Sequence, residues 1–283
     1  MKVVRAQGLG FCFGVRRAIE MTSAAAEAHG PLFTLGAVVH NARVAQALAK
    51  KGARPVATLD DVPPGAWVAI TAHGAGPDVI EGIARRGLHL IDATCPIVRR
   101  AQEEAASLAK AGFRVVVYGD EGHPEVRGIL GWTRGHGQAS LSPAIDPEEG
   151  EKGLALLAQT TARRRDFSRF VREIARRHPQ GIPEIRVVDT TCPEPARRYE
   201  AAQDLARTVP VMVIVGSPTS ANTRRLVDAA RETGIPAHAV ESAEDLAPAW
   251  FVGLARCGVT AGTSTPAEAV DEVVARLDTF GEA

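Results

Sequence analysis

Three cysteines in this chain are each followed by a segment that favours a helix, and this repetition constrains the fold more than any other feature. Cys12, Cys95 and Cys192 precede runs rich in Ala, Glu and Leu, which have high helix propensity. Pro96 and Pro193 stand at the first helical position, where proline needs no partner for a backbone N–H. We therefore predict that each cysteine lies at a helix N-terminus, where the helix dipole favours the thiolate.

The repetition continues beyond the helices, because each helical segment is followed by an apolar strand and a polar loop. The apolar segments are residues 32–39, 113–118 and 209–215. The polar loops place one residue 28 positions after each cysteine, namely His40, His123 and Ser220. A further strand in each repeat ends in a second polar loop, at residues 71–74, 159–161 and 260–264. The equal intervals favour a repeated unit over coincidence among ordinary strand–helix–strand units.

This alternation of helices and short apolar strands predicts an α/β fold with short parallel sheets. We divide the chain into three α/β units, residues 1–95, 96–192 and 193–283, related by an approximate threefold axis. Ligands of parallel sheets bind beyond the carboxyl ends of the strands, which is where all six polar loops are expected. The threefold arrangement would bring the three cysteines and six loops to one centre.

Composition excludes several classes of protein. Lys and Arg together number 33, as do Asp and Glu, so bulk electrostatics give no reason to expect a nucleic-acid partner. The densest apolar run, residues 209–215, is far shorter than the roughly 20 residues that a membrane helix needs. The N-terminus has no apolar stretch of the kind found in signal peptides. We expect a cytoplasmic protein with reduced thiols and no membrane partner.

Three converging cysteines form an incomplete set of metal ligands. Zinc accepts three cysteines and one further ligand, whereas a 4Fe–4S cluster normally takes four cysteines and would here keep one open iron. No two cysteines are separated by only two residues, which favours the cluster over structural zinc. The alternative is that the cysteines are small buried residues. Cys257 fits that description, because it lies in an apolar stretch and has no counterpart in the other repeats.

The loops add neutral polar groups that suit a phosphate or diphosphate. These groups are His40, His73, His123, Ser220, Asn222 and Ser264. Structural hydrogen bonding by the histidines, and turn or cap chemistry for Ser220 and Asn222, are the alternatives. Glu125 is the one evident carboxylate of the six loops and a natural proton donor beside a metal-bound substrate, unless it is a solvated loop acid. Thr160 would relay protons or end a strand.

In order along the chain, these motifs resemble the 4-hydroxy-3-methylbut-2-enyl diphosphate reductase family of the LytB type. The resemblance spans about residues 1–275 and rests on the segments around the three cysteines and on five loops. These loops are Val39-His40-Asn41, Ala72-His73-Gly74, Gly122-His123-Pro-Glu125, Gln159-Thr160-Thr161 and Thr260-Ala-Gly-Thr-Ser264. It implies a trefoil of three α/β units around a 4Fe–4S cluster.

The resemblance also implies roles for individual residues. Cys12, Cys95 and Cys192 would bind the cluster and leave one iron open. His40, His73, His123, Ser220, Asn222 and Ser264 would bind the diphosphate. The catalytic residues would be Glu125, His123 and Thr160, with Glu125 supplying protons. The implied reaction is a reductive dehydroxylation to isopentenyl and dimethylallyl diphosphate in the non-mevalonate pathway of isoprenoid biosynthesis, with electrons from a ferredoxin or flavodoxin.

The third unit departs from the family pattern. Pro195 and Tyr199 stand where the family has Thr and Gln, and Ala221 replaces a serine whose hydroxyl faces the diphosphate. Two other hypotheses therefore stay open. One is a paralog that uses the open iron to reduce or dehydrate a different hydroxylated substrate. The other is a three-cysteine metal centre that serves redox sensing or structure and catalyses nothing.

Overall fold

The computed structural model describes residues 1–39, 41–147, 150–179, 181–218 and 220–280. The strands within this part of the chain are β1 (Lys2–Arg5), β2 (Leu32–Leu35), β3 (Ala53–Val56), β4 (Trp67–Ile70), β5 (His89–Asp92), β6 (Arg114–Tyr118), β7 (Gly137–Ala139), β8 (Leu154–Ala158), β9 (Ile185–Val187), β10 (Met212–Val215), β11 (Ala237–Val240) and β12 (Arg256–Ala261). The helices are α1 (Phe13–His29), α2 (Ala42–Lys50), α3 (Pro77–Arg85), α4 (Pro96–Lys110), α5 (Pro124–Gly131), α6 (Arg164–Arg177), α7 (Pro193–Ala206), α8 (Ala221–Arg231) and α9 (Ala267–Thr279).

The strands form three four-stranded sheets in which every pairing is parallel. Their orders are β3-β2-β4-β5, β7-β6-β8-β9 and β11-β10-β12-β1. The same order therefore recurs three times, and the predicted α/β class with short parallel sheets is confirmed. The strand β1 joins the last sheet by pairing with β12, so the two ends of the chain share one sheet. The unit boundaries at residues 95 and 192 stay a prediction.

The described residues divide into two compact units. The first unit comprises residues 1–16, 39–47 and 193–283, and it contains the sheet of β10 and β12. The second comprises residues 17–38 and 48–192, and it contains the sheets of β2 and β6.

In the first unit, β10 is buried on both faces because its residues alternate between two apolar clusters. Val213 and Val215 pack with α9 on one face, whereas Met212 and Ile214 pack with α7 and α8 on the other. Cys257 is fully buried in the cluster formed with α9. Burial raises the pKa of its thiol to about 12, so the expectation that Cys257 is a packing residue is confirmed.

In the second unit, the sheet of β6 has helices on opposite faces. Val115 and Val117 pack with α4 and α5, whereas Val116 packs with Phe167 and Phe170 of α6. Right-handed crossovers in opposite directions from the two central strands produce this arrangement. The two central strands of such a sheet form a topological switch point, beyond whose carboxyl ends ligands bind. The predicted polar loops follow these central strands in all three sheets.

Candidate active site

The three repeated cysteines each stand directly before a helix, as predicted. Cys12 precedes α1, Cys95 is the N-cap residue of α4, and Cys192 precedes α7. None of the three is in a disulfide, and all three are half-buried. Each of these thiols therefore lies at the positive end of a helix dipole.

Each of these cysteines is held by the same backbone contact. Its N–H donates to the carbonyl of the second residue after the third strand of a sheet, that is, after β4, β8 or β12. The N···O distances are 3.0 Å from Cys95 to Ala72, 2.7 Å from Cys192 to Thr160 and 3.2 Å from Cys12 to Thr263. The second polar loop of each sheet therefore fixes the backbone of one cysteine.

The turn before Cys95 is stabilised by an aspartate. One carboxylate oxygen of Asp92 accepts hydrogen bonds from the N–H and hydroxyl of Thr94, at 3.0 and 2.5 Å, while Arg99 forms an ion pair with the other oxygen. Burial acts to raise the pKa of Asp92, but the bonds from Thr94 and the charge of Arg99 hold it below its ordinary value. Asp92 therefore stays ionised and orders the turn that leads into Cys95.

The turn before Cys192 is built in the same way. Asp189 accepts hydrogen bonds from the N–H and hydroxyl of Thr191, at 3.0 and 2.5 Å. Arg164 of α6 forms an ion pair with Asp189 at 2.6 Å. The shared Asp-x-Thr-Cys sequence thus produces the same local structure at both positions.

Glu125 is the buried acid of the second unit. It lies in the first turn of α5, only 2% exposed, and its Oε1 accepts a hydrogen bond of 2.6 Å from the N–H of Thr160. Burial raises the pKa of Glu125, and the hydrogen bonds from Thr160 oppose this only in part. The solvated-acid alternative is therefore wrong. A buried carboxyl group with a raised pKa suits proton donation.

Two histidines flank Glu125. The Nδ1 atom of His123, the N-cap residue of α5, accepts a hydrogen bond of 3.1 Å from the N–H of Glu125. This bond requires an unprotonated Nδ1, so Nε2 carries a proton that can be donated. His73 contacts the hydroxyl of Thr71 through Nδ1 at 3.2 Å, and its ring centroid lies 5.5 Å from that of His123.

The second unit therefore brings most of its predicted site residues into one continuous set of contacts. The set runs from Cys192 through Thr160, Glu125 and His123 to His73, and the loop of His73 also bonds the backbone of Cys95. It joins two cysteines, two histidines that could donate hydrogen bonds to an anion, and a carboxyl group that can be protonated.

The first unit assembles a second set of polar groups around Cys12. The Nδ2 atom of Asn222, in the first turn of α8, donates to the hydroxyl of Thr263 at 2.6 Å. The carbonyl of Thr263 in turn accepts the N–H of Cys12. Ser220 caps α8 by accepting the N–H of Thr223 at 3.5 Å, which confirms its cap chemistry, and Ser264 is half-buried.

A glycine allows the two loops of this set to approach each other. Gly216, directly after β10, has a φ of +148°, and a Cβ atom there would lie 2.6 Å from the hydroxyl oxygen of Thr223. Thr265 closes the other side by donating to the carbonyl of Val215 at 3.0 Å. The loops that hold Ser220, Asn222 and Ser264 are thus fixed by buried threonines.

His40 lies outside the described residues. The next residue, Asn41, accepts the N–H of Val44 at 3.1 Å through Oδ1, so it caps the start of α2. The helices α2, α5 and α8 therefore begin at equivalent points, 29 or 30 residues after a cysteine.

Sequence reasoning missed two residues that order the site. Thr263 was only part of a loop motif, although it contacts both Cys12 and Asn222. Arg198 is 5% exposed, forms an ion pair of 2.9 Å with Glu194 and donates to the carbonyls of Ala261 and Gly262 at 3.3 and 3.4 Å.

The chemistry of the three repeated cysteines fits an iron–sulfur cluster. All three are outside disulfides, half-buried and directly before a helix, and cysteine sulfurs are the usual protein ligands of such a cluster. In the described part of the chain, no group of three or more His, Cys, Asp or Glu side chains is close enough to share a single metal ion. The ligands of an iron–sulfur cluster need not converge on a single ion, because each cysteine sulfur binds its own iron. No described helix is long and apolar enough to cross a bilayer.

Comparisons with known proteins agree with these features. A family model described as LytB protein matches residues 3–278. A 4-hydroxy-3-methylbut-2-enyl diphosphate reductase of Dehalococcoides mccartyi strain CBDB1 is 42% identical over 280 residues, covering 98% of each chain. The enzyme of the same name from Geobacter metallireducens is 37% identical, covering 98% of this chain and 97% of its own.

Two solved structures resemble the fold. One, described as (E)-4-hydroxy-3-methyl-but-2-enyl diphosphate reductase, the terminal enzyme of the non-mevalonate pathway, has a TM-score of 0.77 and 32% identity over 99% of this chain and 100% of its own. The other, the E-1-hydroxy-2-methyl-but-2-enyl-4-diphosphate reductase of Plasmodium falciparum, has a TM-score of 0.85 and 25% identity, covering 97% of this chain and 87% of its own.

Proposed function

Because the chain belongs to the LytB family, we propose that it reduces 4-hydroxy-3-methylbut-2-enyl diphosphate to isopentenyl and dimethylallyl diphosphate. The observation that carries this proposal is the buried carboxyl group of Glu125, which accepts the N–H of Thr160 and lies two residues from His123. The reaction takes up two electrons and two protons. The allylic C–O bond breaks, the hydroxyl leaves as water, and a C–H bond forms.

The cofactor in this proposal is a 4Fe–4S cluster held by Cys12, Cys95 and Cys192. When bound, it supplies single electrons and one iron without a cysteine ligand, which can act as a Lewis acid. The protein contributes three thiols with similar backbone support, because each cysteine N–H is tied to an equivalent loop carbonyl. A cluster of this kind needs reduced cysteines, which is consistent with a protein of the cytoplasm.

Glu125 is the proton donor of the proposed mechanism. Its raised pKa keeps a larger fraction of the group protonated near neutral pH than an ordinary glutamate would hold. The N–H of Thr160 fixes the position of this carboxyl group by donating to Oε1. Protonation of the departing hydroxyl and of the allyl carbon each requires such a group within hydrogen-bonding reach.

The diphosphate is proposed to bind to neutral donors. His123 offers Nε2–H because its Nδ1 is already an acceptor. His40 and His73, together with Ser220, Asn222 and Ser264, would supply further donors from the other loops. Hydrogen bonds to a charged group contribute about 1.5–3 kcal/mol each, so several of them can hold a diphosphate without a lysine.

Thr263 makes up for the hydroxyl that this chain lacks at position 221. Its oxygen accepts the Asn222 amide at 2.6 Å, a bond that does not use the O–H of Thr263 as a donor. A half-buried hydroxyl therefore stands beside Asn222 on the neighbouring loop. We include Thr263 among the diphosphate-binding groups, and its role reduces the weight of Ala221 as evidence for a different substrate.

The experiment that tests the function uses protein purified without oxygen and reconstituted with iron and sulfide. Reduced methyl viologen supplies electrons, and products are separated by chromatography and identified by mass. We expect isopentenyl and dimethylallyl diphosphate in proportion to the bound iron. Iron-loaded protein that gives neither product would refute the proposal. Turnover of another hydroxylated compound in the same assay would support the paralog instead.

A further inference from the structure

The helix α6 is strongly basic in a chain without net charge. It contains six arginines and two acidic residues, whereas the whole chain has 33 basic and 33 acidic residues. Every one of the six arginines is exposed. The opposite side of the helix is apolar, with Phe167, Phe170 and Ile174 buried against the sheet of β6. The helix therefore packs through one face and presents concentrated positive charge on the other.

Four of these arginines share one side of the helix by their spacing. Arg165, Arg169, Arg172 and Arg176 follow each other at intervals of three or four residues, and we name them the arginine stripe. Asp166 lies 3.8 Å from Arg165 and 3.4 Å from Arg169, and Glu173 lies 2.8 Å from Arg176. Two carboxylates thus form ion pairs with three guanidinium groups, and Arg172 forms no ion pair among the described residues. The stripe keeps a net positive charge.

The basic helix begins beside a proposed cluster ligand. Arg164, its first residue, forms an ion pair of 2.6 Å with Asp189, which orders the turn of Thr191 and Cys192. The loop before α6 contains Thr160, whose carbonyl accepts the N–H of Cys192. All of these residues belong to the second unit. The first arginine of the stripe, Arg165, is therefore adjacent in sequence to the residue whose ion pair supports the turn of Cys192.

We propose that the arginine stripe is the docking surface for an acidic electron-transfer protein. This inference rests on the proposed function, because the reduction needs two electrons that arrive singly from outside the chain. An acidic surface would be complementary to the stripe, and charge complementarity raises association rates and fixes orientation. A nucleic acid would also meet positive charge here, but it has no part in a reduction. The neutral total charge of the chain also disfavours it.

The test compares a protein donor with a chemical one. Arg169→Glu and Arg172→Glu are combined in one variant, and Arg169→Lys with Arg172→Lys in a second. Arg85→Glu on α3 is the matched control, since Arg85 is also an exposed helical arginine with a neighbouring acid, Glu81. Each protein is assayed with reduced methyl viologen and with a reduced acidic ferredoxin at several salt concentrations.

We expect the double Glu variant to raise the KM for ferredoxin by about tenfold or more and to keep its kcat with methyl viologen. The double Lys variant and Arg85→Glu should resemble the wild type with both donors. The KM of the wild type should rise steeply with salt, and that of the double Glu variant should change little. An unchanged KM for ferredoxin in the double Glu variant would overturn the proposal.

Direct titration of the protein with ferredoxin tests the docking surface without turnover, so that its failure can be distinguished from a failure of the proposed function. If the wild type reduces no substrate with methyl viologen, the function is refuted. Binding of ferredoxin that is weakened only by the double Glu change would still support the docking surface. Equal binding of ferredoxin by all variants would refute the docking surface. Binding of RNA oligonucleotides to the stripe without binding of ferredoxin would refute it as well.

Discussion

The N–H of Thr160 donates a hydrogen bond of 2.6 Å to Oε1 of Glu125, and the carbonyl of the same threonine accepts the N–H of Cys192. One residue therefore fixes both the proposed proton donor and the backbone of a proposed cluster ligand. The loop after β8 therefore sets the spacing between the carboxyl group of Glu125 and the backbone of Cys192.

Replacement of Glu125 by Gln is expected to reduce turnover by about 10²- to 10⁴-fold, the range for loss of a general acid. The amide keeps the size of the side chain and can still accept the N–H of Thr160. Iron and sulfide content should therefore equal that of the wild type, measured on the same preparation as the turnover with methyl viologen. Unchanged turnover would remove Glu125 from the mechanism.

The raised pKa of Glu125 has a consequence for stability. The folded state holds this proton more tightly than the unfolded state, whose pKa lies near 4.3. The contribution of Glu125 to the free energy of unfolding is therefore largest below the unfolded pKa. It falls as pH rises from the unfolded pKa through the folded pKa, and it is constant at higher pH. Urea denaturation of cluster-free protein should show Glu125→Gln gaining stability relative to the wild type across this window. A stability difference that is independent of pH would contradict the raised pKa.

Two cysteine variants should differ in iron and sulfide content, because one cysteine is a proposed cluster ligand and the other is a packing residue. Cys95→Ala is expected to lose most of the iron and sulfide, because a cluster held by two cysteines is weakly bound. Cys257→Ala is the matched control, since its buried thiol has a pKa of about 12. It should keep its iron and lose about 1 kcal/mol of stability. Iron and sulfide analysis after anaerobic reconstitution decides the matter, and equal iron in both variants would refute the ligand assignment.

Thr263→Val removes the hydroxyl at nearly constant volume. We expect the KM for the diphosphate substrate to rise about tenfold or more with little change in kcat, since one bond to a charged group is lost. Ala221→Ser restores a hydroxyl on the facing loop and should recover much of this loss in the double variant. A KM that matches the wild type in Thr263→Val would show that Thr263 only supports the loop.

Local sequence chemistry predicted the elements that hold the cysteines. Pro96 and Pro193 fix helix starts through the geometry of single residues, and the equal spacings reflect helix and strand lengths that recur in each sheet. The pairing of β1 with β12 was not predictable in the same way, because it joins residues about 250 positions apart. Thr263 was missed for a similar reason. A threonine after a strand has many ordinary uses, and only its contacts with Cys12 and Asn222 distinguish it.

The central claim is that three cysteines leave one iron of the cluster open to the substrate. Mössbauer spectroscopy of reconstituted, ⁵⁷Fe-labelled protein tests it most directly, because the spectrum reports the ligands of each iron. We predict one iron that differs from the other three and whose signal changes when 4-hydroxy-3-methylbut-2-enyl diphosphate is added. A spectrum in which all irons have the same sulfur ligation, and which the substrate leaves unchanged, would contradict the claim.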